Sequence, residues 1–286
     1  MIWEKIKKNE VWVGLALVFT AAILMSGIVT DNYLDKEGLS LIDRPINQLV
    51  VGLRTPLLNK LMFLITLTGN WQMIIWGSLL AAILLIAAKK IRYLMAMIAG
   101  NASALIFIEA AKNLIGRTRP PVENAIITEH GFAYPSAHSY LAVVFYGLMT
   151  YFWVRHFRQK WAKIGMFVLG SALIMLLALS RIYLGVHWTT DVIAGLSLSL
   201  AWLSVTVAYI EYKRRFFKEE YEKFNKKAVW RAFGIFMGLW LLGLLWLYSN
   251  KVNTLGMKMI KPIKAATTAM AKEAPAARSR GAVVSE

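Results

Sequence analysis

Seven stretches of this chain are apolar over roughly the length of helix that crosses a bilayer: residues 11–29, 57–88, 93–115, 137–154, 161–180, 188–210 and 229–248. A hydrocarbon layer of ~30 Å takes about 20 helical residues. Bare backbone cannot cross lipid unpaired, so each run is expected to be a helix. The runs are continuous rather than alternating, which argues against a β-barrel. The second run is long and carries a candidate break at Gly69-Asn70. Composition agrees: 58% of residues are hydrophobic, 17% are charged, and the mean hydropathy is +0.51. Average soluble chains have ~45–50% apolar and ~25% charged residues. Cys is absent, so neither a disulfide nor a thiolate metal site is available.

The fold class expected is therefore all-α, a polytopic membrane bundle. Residues 1–210 would form a six-helix core and 211–228 a basic interfacial linker. A seventh span would follow over 229–249, and then a mobile basic tail over 250–286. The N-terminus, with Lys5, Lys7 and Lys8 before an apolar stretch, has the outline of a signal peptide. No clear small-x-small cleavage site follows it, and it reads as a retained anchor.

The chain holds 33 Lys and Arg against 16 Asp and Glu, a formal charge of +17. Such an excess suits nucleic acid, but here the cations lie in short loops between apolar runs and no nucleic-acid motif accompanies them. Lys89, Lys90 and Arg92 sit in one connection. Arg155, Arg158, Lys160 and Lys163 sit in a second, with His156 expected among lipid head groups. Lys213, Arg214, Arg215, Lys218, Lys223, Lys226 and Lys227 sit in a third. Helix parity puts these loops and the N-terminus on one face, which the positive-inside rule makes cytoplasmic. The opposite, extracytoplasmic face receives 30–56, 116–136 and 181–187. Residues 30–56 read as an amphipathic segment anchored at the outer interface.

Three polar clusters fall on that outer side, where a charge in lipid would cost ~2.5–3.5 kcal/mol or more. They call for a watery pocket at the helix ends. The first is KNLIGRTRP over 112–120, with Lys112 and Arg119 seven residues apart before two prolines. Taken alone, it reads equally well as snorkelling cations at a membrane edge. Glu109, one turn before Lys112, fits charge compensation. Arg117 could meet a substrate head group or solvent, and solvent is preferred; Glu129 and His130 could line the entrance, and a solvated loop is preferred.

The second cluster is Tyr134-Pro135-Ser136-Ala137-His138-Ser139. It resembles a helix start with Ser136 as N-cap. Free N–H groups and a positive dipole end suit an anionic phosphate there; simple capping explains it as well. The third cluster runs from Ser180-Arg181 to His187 and Asp191. Four residues apart on one helix face, Asp191 would fix the tautomer of His187 and leave its other nitrogen nucleophilic. Arg181 offers a planar fork for phosphate oxygens. A helix-capping Asp beside an incidental His is the alternative.

Together the clusters resemble the type 2 phosphatidic acid phosphatases, or lipid phosphate phosphatases, with the pattern K-x6-RP, PSGH and SR-x5-H-x3-D. The first and third match fully; Ala137 stands where the family usually has Gly. The resemblance covers about 11–210. It implies a six-helix membrane core and metal-independent hydrolysis of a lipid phosphate, without cofactor. It further implies that His187 attacks phosphorus to give a phosphohistidine, oriented by Asp191, while His138 protonates the leaving oxygen and then helps to activate water. Lys112, Arg119 and Arg181 would hold the phosphate, with Ser136 and the Ala137 N–H. These roles suit phosphoryl transfer, which needs charge neutralised on the equatorial oxygens and an in-line nucleophile. If the turn at Ala137 needs a positive φ, strain of about 1 kcal/mol follows. Bacterial members act on undecaprenyl pyrophosphate, phosphatidylglycerophosphate or phosphatidic acid. A phosphotransferase using the same intermediate, and a catalytically silent scaffold or transporter component, are the alternatives.

Overall fold

Every apolar run that the structure describes is helical. The computed structural model describes residues 16, 18–27, 40–216 and 226–255. Among them the elements are α1 (Val18–Gly27), α2 (Ser40–Gly52), α3 (Pro56–Thr68), α4 (Trp71–Ala87), α5 (Ile91–Ile115), α6 (Ala137–His156), α7 (Lys160–Tyr183), α8 (Thr189–Phe216) and α9 (Lys226–Leu255), with a single 3-10 turn at Val122–Asn124. The described residues contain no strand, as the all-α expectation requires.

Local chemistry sets the boundaries. Thr55 Oγ1 accepts from the Leu58 N–H at 3.2 Å and Pro56 opens α3. Gly69 closes α3, and Asn70 Oδ1 caps α4 through the Gln72 N–H at 3.0 Å. This stop and restart bends the second apolar run by 49° at its expected break. Gly116, at φ 65°, ends α5 in the left-handed cap that glycine favours.

Four helices (α5, α7, α8 and α9) are long and apolar enough to span a membrane, and the bent α3–α4 pair makes a fifth candidate. Five of the seven expected runs are thus matched among the described residues. The N-terminal run is described only at residue 16 and over the ten residues of α1. The 20 residues of α6 are long enough at ~1.5 Å per residue, but α6 does not reach the hydropathy of the others. The reason is its position. It packs against α4, α5, α7 and α8 and buries Val143, Val144, Phe145, Leu148 and Trp153. A helix surrounded by protein can carry His138, Ser139, Tyr146 and Tyr151 that a lipid-facing one could not. The outer helices instead expose Ile83, Ile106, Phe107, Phe167 and Leu242. Side chains so apolar on the outside suit lipid, not water.

Other boundaries move as well. The eighth helix runs to Phe216, past the expected core limit, and α9 starts at Lys226 and ends at Leu255. Most of the expected linker and tail, like the retained-anchor reading of the N-terminus, lies outside the described residues. At the basic end, Tyr151 donates to Glu211, which pairs with Arg155 at 2.9 Å. The half-buried His156 ring there lies 4.3 Å from that of Phe152. Lastly, α2 is more than a surface anchor. It packs on α7 and α8 and buries Asp43 and Asn47.

Candidate active site

The ends of α5, α6, α7 and α8 opposite the basic connections meet at the 116–136 connection. Chain reversal between α7 and α8 takes five residues and turns at Gly185, φ 74°. A Cβ there would stand 2.4 Å from the Asn124 carbonyl oxygen, so only glycine fits. Arg54 ties the same corner, donating to the Tyr183 oxygen from Nη2 at 2.6 Å and to the Asn124 oxygen from Nη1 at 2.7 Å.

His187 leaves this turn just before α8, so it is not on the helix, contrary to expectation. What brings it to Asp191 is a helix cap. Asp191, in the first turn of α8, reaches back and accepts from the Trp188 N–H at 2.9 Å through Oδ2. The same oxygen lies 3.5 Å from His187 Nδ1. Asp191 therefore both caps the helix and faces the imidazole; the two readings of the sequence do not compete. On the other side of the ring, Arg119 Nη1 stands 3.3 Å from Nε2. An arginine can only donate, so the contact assigns the lone pair to Nε2 and the proton to Nδ1. Burial, with Arg181 and Arg119 adding to it, pushes the His187 pKa well below its ordinary value. The ring is neutral at neutral pH.

Asp191 is itself held. Its Oδ1 pairs with Arg117 Nη1 at 2.5 Å, and Arg117 Nη2 pairs with Asp43 Oδ2 at 2.6 Å. Asp43 reaches across from α2 and accepts from the Thr190 N–H at 3.0 Å and from its hydroxyl at 2.7 Å. Two carboxylates thus sit at the positive end of α8, bridged by one guanidinium. Arg117 does not face solvent, as its place in the loop suggested; it is 7% exposed.

Ser136 is buried and caps α6, as expected, accepting from the Ser139 hydroxyl at 3.0 Å. Its own N–H donates to the Asp191 carbonyl at 3.0 Å, which locks the α6 start to α8. Gly195 permits that approach, because a Cβ there would lie 2.6 Å from the Ser136 oxygen. Ala137 is the first residue of α6, and Lys89 is the only described non-glycine residue with positive φ. The strain that a left-handed turn would have imposed on Ala137 does not arise.

His138, on the first turn of α6, interacts electrostatically with Arg181, Glu129, His187 and Lys112. Lys112, at the end of α5, pairs with Glu109 at 3.4 Å, the compensation foreseen for it. Arg181 is wholly buried and donates from Nη1 to Thr66 at 2.7 Å and from Nη2 to Glu129 at 2.7 Å. Glu129 is not solvated loop but part of the cluster. Burial would raise its pKa, yet Arg181, then His138 and Arg119, pull it down to about 2. All eight residues singled out in the sequence lie in this one region. Asp43, Arg117 and Glu129 complete it; the sequence alone favours solvent for the last two and does not single out Asp43.

Residues 90–215 match the PAP2 superfamily. Over 183 residues, 61% of this chain and 86% of the relative, the sequence is 32% identical to phosphatidylglycerophosphatase B of Bacillus subtilis (strain 168). The chain belongs to the PAP2 superfamily. It is also 30% identical to undecaprenyl-diphosphatase of Sulfolobus acidocaldarius, over 46% of this chain and 61% of that one. Its fold resembles the crystal structure of a transmembrane PAP2-type phosphatidylglycerolphosphate phosphatase from Bacillus subtilis. The TM-score is 0.57 at 27% identity, covering 71% of this chain and 98% of that one. The protein is thus a multi-span membrane enzyme of the lipid phosphatase family, a phosphatase by class. The PAP2 match spans all three motif clusters.

Proposed function

We propose that this PAP2 protein hydrolyses a lipid phosphate or pyrophosphate without a metal, through a phosphohistidine on His187, at the extracytoplasmic face. Undecaprenyl pyrophosphate, phosphatidylglycerophosphate and phosphatidic acid are the candidate substrates, and two of these chemistries appear in the names of its relatives. The observation that carries the reading is the setting of His187: Asp191 behind Nδ1 and a cation, Arg119, at Nε2. That is the arrangement an in-line attack on an anionic phosphorus needs.

The lone pair on Nε2 attacks phosphorus as the bond to the ester or bridging oxygen breaks. Asp191 stabilises the imidazolium that results. His138 gives its proton to the departing oxygen, then takes one from the water that attacks the phosphohistidine and releases phosphate. Lys112, Arg119 and Arg181 neutralise the equatorial oxygens, with Ser136 and the Ala137 N–H at the positive end of α6. Opposite roles for the two imidazoles call for pKa values pushed apart. The outer-face assignment is supported by the basic connections 89–92 and 155–163 lying at the other end of the bundle.

The test is phosphate release by the full chain in detergent, with excess chelator, on polyprenyl, glycerolipid and soluble phosphates. Activity should persist in chelator, and His187→Ala should lower it at least ~1,000-fold. Quenching the native enzyme in detergent denaturant at alkaline pH should trap an alkali-stable, acid-labile phosphoprotein that the variant lacks. Activity lost to chelator, or retained by His187→Ala, would refute the mechanism. Phosphate passed to an added acceptor in preference to water would identify a transferase.

A further inference from the structure

Glu129 enters the cation cluster from the 116–136 connection, in the region where a phosphate would be gripped. Its Oε1 accepts from Arg181 Nη2 at 2.7 Å. On the same edge of that guanidinium the Nε–H, fully buried, has no partner among the described residues. Arginine holds carboxylates and phosphates best with both N–H groups of one edge. Glu129 therefore engages half of a two-toothed site. Its charge also acts on His138 and Arg119. The three residues after it offer their carbonyl oxygens to Arg119: Nε donates to Gly131 at 3.0 Å, and Nη2 to His130 at 3.0 Å and to Phe132 at 3.3 Å. One arginine thus binds the loop that carries Glu129 and touches the His187 ring.

We propose that Glu129 is a specificity-determining residue: its carboxylate occupies the Arg181 edge as a tethered competitor, which a doubly charged phosphate displaces and a singly charged phosphodiester does not. This rests on reading Lys112, Arg119 and Arg181 as the phosphate cradle. A phosphomonoester carries about −1.5 to −2 at pH 7 and three free oxygens. Replacing one carboxylate charge by such a group gains attraction to three cations and fills the Arg181 edge. A diester head group carries one charge and two free oxygens. It gains no charge over Glu129, and it competes with a group whose tether gives it a high local concentration. The need is physical, because a membrane surface presents anionic diester lipids in great excess. Without Glu129 the cations would be occupied by lipid that cannot be hydrolysed.

The experiment uses the full chain in detergent micelles, with hydrolysis of a lipid phosphomonoester as the signal. The inhibitors are inorganic phosphate and phosphatidylglycerol, and the variants are Glu129→Gln and Glu129→Ala. Removing the competitor should lower the Ki of phosphate and the KM of substrate by about tenfold, since the open fraction of the site rises. Phosphatidylglycerol should inhibit the variants and leave the native enzyme unaffected. Loss of the Arg181 ion pair also lowers stability, but a loosened site would bind anions more weakly, not more tightly. The native enzyme gives an independent arm: inorganic phosphate should inhibit it and dimethyl phosphate, singly charged, should not. Equal inhibition by the two would overturn the proposal. So would a fall in kcat with KM and Ki unchanged, which would place Glu129 in proton handling. If inorganic phosphate inhibits neither native enzyme nor variants, the cradle reading itself fails and this one with it.

Discussion

Arg117→Gln removes the guanidinium that bridges Asp43 and Asp191, and its effect can be worked from the burial of the three side chains. They are 9%, 3% and 0% exposed, at separations of 2.6 and 2.5 Å. One cation between two carboxylates leaves the cluster a net −1; the variant leaves −2 with almost no solvent to screen it. Breaking a buried pair by removing one partner costs ~3–5 kcal/mol. That is a fifth or more of the ~5–15 kcal/mol that ordinarily holds a native state. Asp191 also loses the contact that fixes Oδ1, so the carboxylate facing His187 Nδ1 is held through the Trp188 N–H on Oδ2 without its second anchor. A misplacement of about 1 Å at a reacting group costs on the order of 100-fold in rate. Unfolding and phosphate release should be measured on Arg117→Gln, on Asp43→Asn and on the double variant. The double variant returns the cluster to −1. It should therefore be less damaged than the sum of the singles by at least ~1 kcal/mol. An Arg117→Gln enzyme that unfolds and turns over like the native one would refute the reasoning, as would strict additivity.

Gly195→Ala should push the Ser136 carbonyl and the start of α6 aside, displacing His138. A loss of ~1–3 kcal/mol in stability and a clear fall in kcat are expected, whereas Gly165→Ala, with nothing within 4 Å of the added carbon, should change neither. Ala137→Gly should give no large gain in rate, because Ala137 already has helical geometry; a large gain would show a compromised turn. Since burial lowers the His187 pKa, protonation should silence the nucleophile only at pH values below the usual ~6.5. The acid limb of kcat/KM should lie under that value, and a limb at or above it would contradict the geometry. Glu129 works in the opposite sense on stability. Its carboxyl is held near about 2 against an ordinary 4.5, so its contribution is complete above about 4.5 and is lost as pH falls toward 2. The difference in unfolding between native and Glu129→Gln protein should be constant above that range and close below it.

The residues legible in the sequence are those whose partners are close in the chain. Arg181, His187 and Asp191 lie within eleven positions, and one turn and one cap bring them together. The missed residues act over long separations: Asp43 meets Thr190 across 147 positions and Arg181 meets Glu129 across 52. No local pattern encodes such pairs. Asp43 nonetheless left a trace. It falls in register with Ile46, Asn47 and Val50 on α2, the side turned toward protein, and an acid on that stripe needs a buried partner. The position of α6 was illegible for a different reason. Hydropathy measures how well a helix suits lipid, and the central helix of a bundle meets little of it.

Charge type alone does not separate the arginines that build this end of the protein from those that are free to bind. Their hydrogen bonds single out one, Arg181. Arg54 spends Nε and both terminal nitrogens on the carbonyls of Tyr183 and Asn124, and Arg117 is locked between two acids and a threonine. Neither can turn to a ligand without unpicking the connections that hold α2, α7 and α8 in place. Arg119 likewise spends Nε and both terminal nitrogens, on the carbonyls of His130, Gly131, Phe132 and Val186, and also meets the His187 ring. Arg181 keeps a buried, unpartnered Nε–H beside the Nη2 that holds Glu129. A phosphate that displaces Glu129 can take both N–H groups of that edge, so this arginine, at a motif position, is the one whose bonding leaves a donor for it.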